Sequence, residues 1–146
     1  MTTENGPSPM ADLDVFVGDW RMSASFPGAP PVAETSFAWL AGNQFLVQQW
    51  HVDHPDAPDG IAIIGYDADR ATFLQHYFDS RGVARVYEMT FADGVWGLLR
   101  IVPGFTQRFT GTFSEDGATI TGRWEQSDDG TQWEPDFDLT YTRVAG

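Results

Sequence analysis

Four stretches of the chain alternate apolar and polar residues one for one. Trp20, Met22, Ala24 and Phe26 alternate with Asp19, Arg21, Ser23 and Ser25. Gln107, Phe109, Gly111 and Phe113 alternate with Arg108, Thr110, Thr112 and Ser114, and Ile120, Gly122 and Trp124 with Thr119, Thr121, Arg123 and Glu125. Near the end, Phe137, Leu139, Tyr141 and Arg143 share one face, opposite Asp136, Asp138, Thr140 and Thr142. A period of two marks a strand with one buried and one wet face. Between residues 44 and 102 the pattern changes, because both faces carry large apolar groups. Phe45, Val47, Gln49 and His51 oppose Leu46, Gln48, Trp50 and Val52; Phe73, Gln75 and Tyr77 oppose Leu74, His76 and Phe78. One such face can fill an interior, and the other then needs cover. A second copy of the chain, making a homodimer, is the expected cover.

Turn chemistry divides these runs. Gly42-Asn43, Asp67-Ala68-Asp69-Arg70, Ser80-Arg81-Gly82, Ala92-Asp93-Gly94, Glu115-Asp116-Gly117 and Asp128-Asp129-Gly130 supply the backbone conformations that tight hairpins need. Ten strands follow, over 17–26, 33–41, 44–52, 61–67, 71–79, 83–91, 94–102, 105–114, 118–127 and 132–144. No long helix-period segment appears, and no internal repeat. The predicted fold is all-β: a single antiparallel up-and-down β-barrel over residues 11–146, closed so that no edge strand is left bare. Residues 1–10 read as a disordered tail, and Ala11–Phe16 as one helical turn leading into the first strand.

Composition narrows the function. The chain is 42% hydrophobic and 14% aromatic, as globular domains are. Its formal net charge is −13, and its eight basic residues are all Arg. So acidic a surface repels phosphate backbones and anionic lipid, so neither nucleic acid nor a membrane is an expected partner. Without Lys there is no lysine Schiff base, and without Cys no disulfide, thiolate metal site or cysteine nucleophile. The first ten residues lack a basic and apolar leader, and a cytoplasmic protein is the expectation.

An inward Arg143 on an apolar face needs a partner. In a closed barrel the first and last strands are neighbours, so Arg143 can lay its planar guanidinium on the Trp20 indole and plug one end. Gly18-Asp19-Trp20 with a terminal-strand Arg143 resembles the signature of the calycins, which include lipocalins, fatty-acid-binding proteins and nitrobindin-like barrels. Gly65-Tyr66-Asp67 and Tyr77-Phe78-Asp79-Ser80-Arg81-Gly82 resemble segments of a lipocalin-like family of uncharacterised bacterial proteins. The resemblance implies that Gly18, Trp20 and Arg143 close the barrel around a cavity for a small apolar ligand. Haem-binding nitrobindins use a proximal His near the C-terminus. This chain has no His after His76, so haem is not expected, nor any other cofactor.

The residues expected to contact a ligand are Gln49, Gln75, Tyr77, Tyr87, Arg100, Trp124 and Tyr141: aromatic walls with a few polar groups, as small-molecule pockets have. Arg100 reads either as a cavity cation for a carboxylate or as a partner for Glu88. The first functional reading is binding without catalysis. The alternative is an isomerase or cyclase using Tyr77, His76 or Glu88 as acid or base, or an atypical haem protein. His51 and His54 are spaced i, i+3, which on a strand sends them to opposite sides, so no metal site is expected.

Overall fold

A computed structural model describes residues 9–25, 33–52 and 58–144. The strands are β1 (Gly18–Ala24), β2 (Ala33–Trp39), β3 (Leu46–His51), β4 (Gly60–Asp67), β5 (Thr72–Asp79), β6 (Ala84–Ala92), β7 (Val95–Arg100), β8 (Thr106–Phe113), β9 (Thr119–Ser127) and β10 (Glu134–Arg143). Each pairs antiparallel with its sequence neighbours, and β10 returns to β1 to close the barrel. In that closing pair Trp20 stands opposite Arg143. The hairpin turns adopt positive φ where the sequence supplies Gly or Asn, for example +94° at Gly42 and +57° at Asn43.

A 3-10 helix, Pro9–Phe16, precedes β1. It begins two residues before the expected turn, with proline at its first position, where a missing N–H costs nothing. Met10, Leu13 and Phe16 recur every third residue, the repeat that stacks side chains on one face of such a helix, and all three are buried. This face plugs the end of the barrel where the chain enters β1. Phe16 lies 5.0–5.3 Å from the ring centroids of Phe37, Phe91, Trp96 and Phe113. Edge-on and tilted pairs at such distances suit the aromatic quadrupole.

Arg143 secures the plug. Its guanidinium carbon lies 4.1 Å from the centroid of the Trp20 ring. The same group donates to the carbonyls of Val15 and Val17 at 2.7 Å each and to that of Gly117 at 3.3 Å. Trp20 Nε1 donates to the Phe16 carbonyl at 2.8 Å. Gly18 has φ +132°, and a Cβ there would sit 2.7 Å from Arg143 Nη1. The glycine of Gly-x-Trp thus has two physical reasons: a backbone that other residues rarely adopt, and room for the guanidinium.

The two-sided strands resolve cleanly. Leu46, Gln48 and Trp50 face inward from β3; Phe73, Gln75, Tyr77 and Asp79 from β5; Tyr87 and Met89 from β6; Trp96 and Leu98 from β7. The opposite faces of β5, β6 and β7 form an outer groove in which Phe78 and Val86 are 42% and 49% exposed; Ile101 at its edge is 71% exposed.

Candidate ligand cavity

Above the plugged floor the barrel is hollow. A cavity of about 250 Å³ opens between the sheet walls. Its floor is the Trp96 indole, whose other side packs on Phe16. Leu98, Phe109, Trp124 and Leu139 form the walls, and Trp50, Val52, Pro58 and Phe137 stand toward the opposite end. Trp50 stacks on Tyr77 at 5.3 Å with ring planes 28° apart. Trp124 meets Phe109 at 5.2 Å and Tyr87 at 5.6 Å. Two glycines let Phe109 lie flat against the wall: a Cβ on Gly111 or Gly122 would run into its ring.

Four polar side chains interrupt the apolar lining: Gln48, Gln75, Tyr77 and Tyr141. Gln48 Nε2 donates to Thr35 Oγ1 at 3.2 Å and to the Tyr141 hydroxyl at 3.5 Å. Burial pushes the Tyr141 hydroxyl up to about 12, only partly opposed by Gln48. Tyr77 donates to Asp79 Oδ2 at 2.6 Å. Arg81 grips the same carboxylate, with Nη2 2.7 Å from Oδ2 and its backbone N–H 2.9 Å from Oδ1. Those hydrogen bonds from Arg81, with that of Tyr77, hold the Asp79 carboxyl well below the usual carboxylate range despite burial. Burial, and then Asp79, push the Tyr77 hydroxyl far above its ordinary value. Tyr77 therefore keeps its proton, and that proton points at Asp79.

Of the residues singled out in the sequence, Gln75, Tyr77, Trp124 and Tyr141 line the cavity together. Tyr87 is buried beside them, its hydroxyl 3.3 Å from Gln107 Oε1. Gln49 is exposed on the outer face, and Gln48 takes the inward place. With Gln at both positions, only the parity of Leu46 and Trp50 decides which enters. Arg100 does not reach the cavity; it borders the outer groove with Glu88, and among the described residues no ion pair joins the two. His76 and Glu88 are exposed on that outer face, apart from Tyr77, so the three do not form one cluster. Sequence reasoning missed Gln48, Trp50 and Trp96 as lining residues, although the inward parity of Trp96 and Leu98 could have found the last.

The exposed His51 pairs with Asp59 at 3.1 Å, and His54 lies outside the described residues. Among the described residues no cluster of three His, Cys, Asp or Glu side chains could hold a metal. No described imidazole lines the cavity. No described helix is long and apolar enough to cross a membrane.

No known family model matches this chain, and no curated protein matches it in sequence. In three dimensions it is similar to the crystal structure of Rv2717c from M. tuberculosis, with a TM-score of 0.60. That similarity covers 94% of this chain and 99% of the other at 16% identity, which shows the fold alone. A closed ten-stranded antiparallel barrel with this neighbour fits a calycin-like barrel fold.

Proposed function

We propose that the barrel is a calycin of the nitrobindin-like kind that binds one small, mostly apolar molecule and does not transform it. The observation that carries this is the cavity itself: about 250 Å³ of space walled by aromatic and aliphatic side chains above a sealed floor. Its size falls below the roughly 300–1,000 Å³ of drug-sized sites, which favours one or two rings over a long acyl chain. The absence of turnover is supported by Tyr77, whose proton is committed to Asp79, and by the outward position of His76 and Glu88.

Calorimetric titration with naphthalene tests the reading. Binding should occur with one site, and Ala24→Phe, which places a ring in the lining, should abolish it with the fold intact. Failure of the unaltered protein to bind naphthalene or any small aromatic overturns it. At ten times Kd a bound ligand should add about 1.4 kcal/mol of stability by mass action.

The outer groove supports a second copy as its cover. Phe78 and Val86 are exposed there, and Glu88, Arg70, Arg85 and Arg100 border the groove. A two-fold axis through such a surface sets acid against base from both sides. Sedimentation at micromolar concentration should report a dimer that Val86→Glu converts to monomer; a monomeric unaltered protein overturns this assignment.

A further inference from the structure

Two side chains that line the cavity each carry a buried polar atom with no hydrogen-bond partner: Gln75 Oε1 and Trp96 Nε1. Gln75 is 4% exposed and Trp96 1%, and both side chains line the space. Leaving such atoms unpaired costs about 1–3 kcal/mol each, so a protein that retains them has a use for them or tolerates the loss. Their demands are opposite. An amide oxygen accepts a hydrogen, and an indole N–H can only donate one.

The charge of the site adds a second constraint. Among the described residues no Asp, Glu, Arg or His lines the cavity, and none of the eight Arg falls outside the described residues. Asp79, which accepts from the lining Tyr77, is already held by Arg81. Among the described lining residues a carboxylate would meet no cation and an ammonium no free anion; burying either unpaired is expensive.

We infer that the ligand is a neutral ring compound bearing a hydroxyl, which gives its hydrogen to Gln75 Oε1 and accepts one from Trp96 Nε1. A hydroxyl is the smallest neutral group that both donates and accepts. The stacked Trp50–Tyr77 pair and the Phe109 and Trp124 rings supply flat walls for the ring. This assignment rests on the cavity being a binding site, and it adds which molecules the site selects.

Three probes of one shape separate the two claims: 2-naphthol, naphthalene and 2-naphthoate, each titrated by calorimetry near neutral pH. The inference expects 2-naphthol to bind at least tenfold tighter than naphthalene, and 2-naphthoate weakest of the three. Gln75→Leu and Trp96→Phe should each erase most of the naphthol preference while naphthalene binding persists. Equal binding of naphthol and naphthalene overturns the hydroxyl assignment and leaves the binding site standing, since water then satisfies both atoms as well as a ligand does. Tighter binding of naphthoate overturns the neutral-ligand assignment. Binding of none of the three overturns the site itself. Should Trp96→Phe fail to fold, Gln75→Leu alone decides, because it exchanges side chains of similar size away from the floor cluster.

Discussion

At the floor of the barrel, Phe16 touches four rings and Arg143 spends three nitrogens on backbone carbonyls. A few ångströms above, Trp50, Tyr77 and Trp124 surround open space, and Gln75 and Trp96 each keep an atom unsatisfied. Both regions are built from the same materials, aromatic rings with a few polar groups. In the floor the polar groups complete the packing; in the cavity they interrupt it. Removing a polar group should therefore have opposite consequences in the two places, and substitutions can test that contrast directly.

The largest effect belongs to the floor ring. Trp20→Ala removes a fully buried indole and leaves a cavity under Arg143, which should cost about 3–5 kcal/mol in denaturant unfolding. Arg143→Met keeps the apolar stem and discards the fork. The carbonyls of Val15 and Val17 then lose charge-assisted partners, and the loss should be about 2–3 kcal/mol. In the cavity, Gln75→Leu should leave stability unchanged or raise it by about 1 kcal/mol, since it replaces an unsatisfied amide by a group with nothing to satisfy. A cost comparable to that of Arg143→Met would break the contrast.

Near the cavity the Asp79 carboxyl gives a pH-dependent version. Its folded pKa is depressed below the unfolded value of 3.8. Its contribution is therefore complete above about pH 5 and drains away as pH falls through the acid range. Unfolding curves of the unaltered protein and Asp79→Asn should differ at pH 7 and converge toward pH 2. The smallest effect lies at the alkaline side. Tyr141 is raised from 10.0 to about 12, so the unfolded chain ionises first and stability falls as pH rises through that interval. Tyr141→Phe should flatten the fall, measured between pH 10 and 12.

The strands and turns were legible because their signals are local: an Asp-Gly at a hairpin tip and a one-for-one alternation need no knowledge of the rest of the chain. The Trp20–Arg143 contact was legible for a different reason, since closure makes the two ends neighbours. The inward face of β3 was not, because Phe45 and Val47 are as apolar as Leu46 and Trp50. Arg100 was ambiguous on the same account. Its alternation places it with Leu98, yet β7 ends there and the side chain borders the groove. The start of the helix at Pro9 was missed although proline at a first helical position is a signal in its own right.

The fork of Arg143 reaches carbonyls 126 and 128 residues earlier in the chain. During synthesis, the N-terminal plug lacks its guanidinium clamp until β10 has left the ribosome. Until then the first strand offers an unpaired edge, and the closing of so long a loop delays the final step of folding. The sealed floor thus joins the first turn of the barrel to its last strand and is completed only when that strand docks.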